Sequence, residues 1–326
     1  MKLHVTIIAA VLVIFLVVDI VVSFYFYDIA VARNKKEFYK DNKDLEASIE
    51  VLTKAQEEDK DLDWAYEQVF EEIVIESYDG LKLNGYYLEA KVPSKKTAIL
   101  AHGYSSYARA MGSYAKYYYE DLGYNILMPD ARGHGKSEGD YIGFGWHDRK
   151  DYVRWIEYII DRVGEDSQIV LHGVSMGGAT VLMTSGEELP GNVKAIISDC
   201  SYTSVKDELA YQLKRMYKLP PFPLLHSTSL LTRIRAGFYF AEASALKQVS
   251  KAKTPILFIH GEEDSFIPVE MVYELYENCS SEKDLFIVPG AGHGVAYNID
   301  KEGYRKKVFD FLSRYVMDNW QVKLKD

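Results

Sequence analysis

The sequence predicts an α/β fold, a mostly parallel β-sheet with helices on both faces, and three observations carry that prediction. Short apolar, β-branched runs recur at 97–101, 125–128, 169–172, 193–197, 255–259 and 284–288, with helical periodicity between them. Several of these runs are continuous rather than alternating, as expected of strands covered on both faces. A hairpin leads them in, since residues 70–78 and 81–88 flank Asp79-Gly80. At 168–178, Gln-Ile-Val-Leu-His-Gly-Val-Ser-Met-Gly-Gly, a strand-like run passes through a glycine-flanked serine into a small-residue helical pattern.

Taken in order, the chain opens on a stretch from 3 to 27 whose only ionisable groups of consequence are His4 and Asp19. That length spans a hydrocarbon core as a helix. Ala30-Val31-Ala32 resembles a leader-cleavage site, but Phe24-Tyr25-Phe26-Tyr27 suits an interfacial aromatic belt. Residues 1–27 are therefore expected to be an uncleaved single-pass anchor in the cell membrane, with the lipid bilayer as a partner. Asp19 would cost about 2.5–3.5 kcal/mol at mid-membrane, which this many apolar residues offset. Arg33, Lys35, Lys36 and Lys40 outnumber Lys2 and favour a cytoplasmic C-terminal part. Large domains translocate regardless of nearby charge, and the expectation is an extracytoplasmic catalytic domain.

Residues 28–68 read as a helical connector. Leu45, Ile49, Leu52 and Gln56 fall on one face, residues 57–61 make a polar break, and a short helix at 62–68 is expected to dock Trp64 and Val69. A stalk and a helix packed on the body both fit this pattern. The catalytic domain is expected over 69–320, followed by a tail at 321–326. Within it, helices are predicted at 107–121, 148–163, 269–278 and 300–318. The second carries Val153, Ile156, Ile159 and Ile160 on one face and stops at Gly164. The alternation breaks at about 202–248, an insertion rich in Leu, Phe and Pro, among them Leu224, Leu225, Leu230 and Phe240. It sits where a helical cap would cover a site, with its own small core and an apolar lining to offer.

Bulk properties exclude some classes. The chain has 326 residues, 48% of them hydrophobic, so it is not disordered as a whole. A net charge of −10 argues against nucleic-acid binding. Cys200 and Cys279 fit neither a metal pattern nor a disulfide framework and are expected to be buried thiols.

Gly173-Val174-Ser175-Met176-Gly177 matches G-x-S-x-G, in which a serine on a sharp strand-to-helix turn exposes its hydroxyl. Side chains two residues before and after it would collide, hence the glycines. Serine needs a base and an orienting acid, in the chain order serine, acid, histidine. Of His226, His260 and His293, the last lies in the loop Pro289-Gly-Ala-Gly-His-Gly294 after the final strand and is preferred. His260 reads as a packed histidine, and His226 sits in the cap without an acid. Asp264, at the end of the turn after the 255–259 strand, is preferred as the acid. Glu262 and Glu263 read as solvated charges, and Asp199 is the second candidate. Oxyanion binding needs two preorganised N–H groups, expected from Met176 at the helix start and Tyr104 after His102-Gly103.

Together these features resemble the α/β-hydrolase superfamily over about residues 70–320. Asp130-Ala-Arg-Gly-His-Gly-Lys-Ser137 resembles its D-x-R-G-x-G-x-S stretch. Gly143-Phe-Gly-Trp-His-Asp148 and Ala243-Ser-Ala-Leu-Lys-Gln248 are similar to membrane-anchored bacterial hydrolases grouped with serine aminopeptidases and monoacylglycerol-lipase-like enzymes. The resemblance implies an eight-stranded sheet, a cap and a triad of Ser175, Asp264 and His293. No metal or organic cofactor is implied. Ser175 disfavours the dehalogenases and epoxide hydrolases of this fold, which use aspartate there. The leading expectation is a carboxylesterase or short-chain or monoacyl lipase acting on a small-molecule ester. A peptidase acting on a short peptide is the alternative, and would need a pocket carboxylate such as Asp207, Glu208 or Glu242. A non-catalytic membrane-tethered binding protein is the remote third reading.

Overall fold

The computed structural model describes residues 2–34, 43–58, 61 and 63–317. Eight strands among these form one sheet in the spatial order β1-β2-β4-β3-β5-β6-β7-β8. They are β1 (Glu71–Glu76), β2 (Lys82–Leu88), β3 (Lys96–Ala101), β4 (Asn125–Pro129), β5 (Gln168–Val174), β6 (Val193–Asp199), β7 (Ile256–Gly261) and β8 (Lys283–Val288). β2 pairs antiparallel with β1 and with β4, and every later pairing is parallel. The predicted mostly parallel sheet is thus the observed one. Gly80, at φ +88°, makes the turn of the leading hairpin.

Strand side chains alternate between two cores, as a two-residue period requires. Ile99, Leu127, Leu171 and Ile196 enter one core with Trp155, Ile156 and Leu182. Their neighbours Ala98, Ile126, Val170 and Ile197 enter the other with Tyr118, Tyr297 and Phe311. Both faces are covered, which explains the continuous apolar runs.

The helices are α1 (Lys2–Ala30), α2 (Lys43–Glu58), α3 (Trp64–Glu67), α4 (Gly112–Lys116), α5 (Asp148–Val163), α6 (Met176–Thr184), α7 (Val205–Tyr217), α8 (Leu224–Ala236), α9 (Ala245–Val249), α10 (Glu270–Asn278), α11 (Ala296–Ile299) and α12 (Lys301–Leu312). α5 keeps its predicted bounds, and Gly164 caps it by donating to the Ile160 carbonyl. The helix expected at 107–121 is instead a 3-10 turn, α4 and a wider π turn at Tyr117–Asp121. α12 stops at Leu312, short of the expected 318, where the chain goes into turns.

α1 is long and apolar enough to cross a bilayer. Its large apolar side chains from Leu3 to Val21 are exposed, whereas Ser23 and Tyr27 are buried against the body. The following residues are stitched in. Ile142 donates to the Val31 carbonyl, Ala32 bridges to Tyr141, and the Arg33 guanidinium donates to the carbonyls of Gly135, Ser137 and Gly139. Lys35, Lys36, Lys40, residues 59–60, Leu62 and the tail at 321–326 lie outside the described residues.

The connector departs from expectation in three places. Among the described side chains of α2, Leu45 and Ser48 are buried, while Ile49 and Leu52 are exposed. The Gln56 side chain lies outside the described residues. Val69 is 93% exposed, and it is Phe70 that packs edge-on against Trp64. Phe70 joins Trp64, Tyr86 and Tyr118 in the core on the sheet face opposite Ile73, where α3 brings Trp64 beside it just ahead of β1. Asp61, read as part of a polar break, is buried and ion-paired with Lys116, Lys301 and Arg305.

Candidate active site

Ser175 sits at the junction of β5 and α6 with φ +58° and ψ −120°, a backbone conformation that L-residues rarely adopt. The glycines around it are sterically required. A Cβ on Gly173 would lie 2.1 Å from the Gly177 carbonyl oxygen, and one on Gly177 would lie 2.0 Å from that of Ala101. The strain is held by pairing, since Ser175 N–H donates to the Asp199 carbonyl at 2.9 Å.

The loops after β7 and β8 bring the other two residues to it. His293 Nε2 lies 2.9 Å from Ser175 Oγ, and His293 Nδ1 lies 2.7 Å from Asp264 Oδ2. Asp264 Oδ1 accepts from the backbone N–H groups of Phe266 at 3.0 Å and Ile267 at 2.8 Å. Gly261 lets the two loops touch, because a Cβ there would meet the Ala291 carbonyl oxygen at 2.3 Å. Burial alone would raise the Asp264 carboxyl, but the charge of His293 and hydrogen bonds from His260 and His293 hold it well below the usual carboxylate range. Asp264 is therefore an anion facing the imidazole.

The other candidates fall elsewhere. Asp199 is buried at the end of β6 and accepts from the Tyr304 hydroxyl at 3.1 Å. Burial pushes its carboxyl up to about 6. His260 is fully buried and points Nε2 at the Ile267 carbonyl, 2.9 Å away, with Asp264 Oδ2 at 3.4 Å. It thus backs the acid, a contact its sequence context does not reveal. Glu262 and Glu263 are exposed, as is His226 on α8. Cys200 and Cys279 are both buried. Cys200, Asp264 and His293 have donor atoms within 4.8 Å of one another. They make a poor metal site, because Asp264 and His293 already bond each other and burial raises the Cys200 thiol, opposing the thiolate a metal needs.

The loop after β3 passes beside the serine: a Cβ on Gly103 would lie 3.5 Å from Ser175 Cβ. Met176 opens α6 immediately after Ser175, where helix N–H groups point outward. The 130–137 stretch shapes this region. His102 Nε2 accepts from Ala131 N–H at 3.0 Å, His134 Nε2 lies 3.2 Å from the donating Ser105 N–H, and Asp130 Oδ1 accepts from Ala108 N–H at 2.8 Å. Burial pulls His102 down to about 4 and His134 to about 3. Both rings are therefore neutral and able to accept through Nε2, which fixes the turn carrying Tyr104.

A cleft of about 930 Å³, counting its open mouth, runs from Ser175. Its walls are apolar, with Leu213 and Leu225 from the cap, Phe144 and Phe266 from loops, and Phe26 and Ile29 from α1. The α1 residues were not among the predicted site residues; only their place beside an aromatic belt hinted at a special position. Of the three acids weighed for an amine, Glu208 lines the cleft. Asp207 is engaged at the start of α7 with Ser204, and Glu242 accepts from Tyr239 N–H.

Comparison with known proteins places this architecture. The family model described as the prolyl oligopeptidase family matches residues 111–319. The chain belongs to the prolyl oligopeptidase family. Among its relatives, this family member is 32% identical over 239 residues to the uncharacterized protein YqkD of Bacillus subtilis, covering 73% of this chain and 78% of that one. A solved esterase of Pyrococcus furiosus, Pf2001, is 26% identical with a TM-score of 0.62, covering 78% of this chain and 92% of the esterase. The acylaminoacyl peptidase of Pyrococcus horikoshii, at 19% identity and a TM-score of 0.59, shares the fold over 77% of this chain and 43% of its own. This prolyl oligopeptidase family member is therefore a serine hydrolase of the α/β-hydrolase superfamily.

Proposed function

We propose that the protein is a membrane-anchored serine hydrolase that cleaves a carboxylic ester of an apolar acyl group through an acyl-enzyme. The observation that carries this reading is the apolar cleft running from a serine hydroxyl 2.9 Å from an imidazole. Ser175 is the nucleophile. As its oxygen attacks the ester carbonyl, its proton passes to His293 Nε2, and Asp264 holds the Nδ1–H tautomer and offsets the imidazolium charge. The backbone N–H groups of Tyr104 and Met176 bind the oxyanion. His293 then gives the proton to the leaving alkoxide, and later takes one from the water that releases the acid. The 29-residue helix α1 crosses the cell membrane, with its 24–27 aromatic cluster at the interface and the catalytic domain outside the cytoplasm.

A second reading, aminopeptidase, is favoured by Glu208. Its carboxyl is buried in the cleft wall, and Oε2 has no hydrogen-bond partner among the described residues. A substrate ammonium would supply one.

Fluorophosphonate labelling of the wild type and Ser175→Ala tests the nucleophile, and matched ester and aminoacyl-amide panels test the substrate. Equal labelling of both proteins overturns Ser175. Turnover confined to the amides replaces the ester reading with the aminopeptidase.

A further inference from the structure

The cleft has a wall that belongs to no part of the hydrolase body. Phe26, Ile29 and Ala30, from the last two turns of α1, line it together with cap residues Leu213 and Leu225. The cap is joined to α1 along its length. Ser227 donates its hydroxyl to the carboxylate of Asp19, the acid of the apolar stretch. Arg235 lies over the rings of Phe24 and Tyr27, 5.0 and 5.2 Å from their centroids. From Ser227 to Arg235, α8 therefore accompanies α1 from Asp19 to Tyr27.

This geometry fixes how near the cleft lies to lipid. At 1.5 Å per residue, Ile29 is about 15 Å along the axis from Asp19. It is only a turn beyond the aromatic cluster at 24–27. On the same cap, Phe222, Leu230 and Ile234 are 72%, 52% and 74% exposed. Apolar side chains bared beside a helix able to span a bilayer are suited to lie in the leaflet.

We infer that the last turns of α1 are an acyl-binding wall, and that the substrate is an amphiphilic ester resident in the bilayer. This inference rests on the ester-hydrolase reading. Each methylene drawn through water carries a penalty, and a pocket walled by the spanning helix avoids it.

The test uses the full-length protein in detergent micelles and p-nitrophenyl esters from acetate to hexadecanoate. Ile29→Trp fills the wall and should lower the dodecanoate-to-acetate ratio of kcat/KM about tenfold or more. Phe26→Ala opens it and should raise the hexadecanoate-to-dodecanoate ratio. If Ile29→Trp does not fold, the Phe26→Ala ratio decides alone. Ratios unchanged from wild type overturn the inference while wild-type turnover and Ser175 labelling leave the hydrolase reading standing. A wild type that is neither labelled nor active on any ester fails at that underlying reading instead.

Discussion

The hydroxyl of Tyr104 donates a hydrogen bond of 2.6 Å to the carbonyl oxygen of Ala30, the last residue of α1. Its ring stacks on Phe144 with centroids 5.4 Å apart, and its backbone lies in the loop that passes Ser175. One residue thus ties the N-terminal helix to the proposed oxyanion hole. Tyr104→Phe keeps the ring and removes the tie. At about 1 kcal/mol for such a bond, kcat on a p-nitrophenyl ester should fall roughly fivefold with KM little changed. A rise in KM alone would assign the hydroxyl to substrate binding instead.

Asp264→Asn should leave the fold in place and lower kcat by roughly 10⁴. An amide N–H turned toward Nδ1 forces the imidazole to carry its proton on Nε2, where it cannot take one from Ser175. Steady-state kinetics alongside a thermal melt separates this tautomer effect from unfolding.

Glu208 gives a pH dependence of definite sign. Burial raises its carboxyl from 4.5 to about 8. Between those values the folded chain holds a proton that the unfolded chain releases, so this group makes stability fall as pH rises. Glu208→Gln removes the slope. Melting temperatures of variant and wild type should be closer at pH 5 than at pH 8, with the variant the more stable at pH 8. The same variant should lose aminoacyl-amide turnover if any is present.

Arg132 is 1% exposed and clamps Asp151 through Nε and Nη2, each at 2.7 Å, and Asp79 through Nη1 and Nη2 at 2.9 and 3.0 Å. Arg132→Met strands a buried Asp151 carboxylate, at a cost of about 3–5 kcal/mol. Burial already pushes Asp151 up to about 7. Denaturant unfolding should therefore show a smaller deficit at pH 5, where that acid is protonated, than at pH 8.

Two glycines make a matched pair. Gly177→Ala places a Cβ against backbone oxygens at 2.0 and 2.7 Å, whereas a Cβ on Gly191 meets nothing within 4 Å. The first should cost more than about 4 kcal/mol in urea unfolding and the second less than about 0.5.

The sheet was legible because strands covered on both faces must be apolar throughout, as the inner runs of β3, β4 and β7 are. The convergence of Ser175, Asp264 and His293 was legible because each lies just after a strand of the same sheet. Packing phase was harder to read. Val69 and Phe70 are adjacent apolar residues just ahead of β1, and the place of Trp64 on α3 decides which of them packs. Hardest was the role of α1, since Phe15 and Phe26 look alike in a uniformly apolar stretch. One is exposed and the other lines the cleft because α8 lies alongside only part of the helix.

The stitching of residues 31–33 into the body bears on proteolysis. Val31 is wholly buried, and its carbonyl accepts from Ile142 N–H at 2.7 Å. A peptidase acting on Ala30-Val31-Ala32 in the folded chain would first have to peel this segment off the domain. A cut after Ala32 would carry away Phe26, Ile29 and Ala30, and with them the acceptor of the Tyr104 hydroxyl. Shedding the helix would therefore leave the cleft without one of its walls, so that under the proposed reading anchorage and specificity would be lost in a single event.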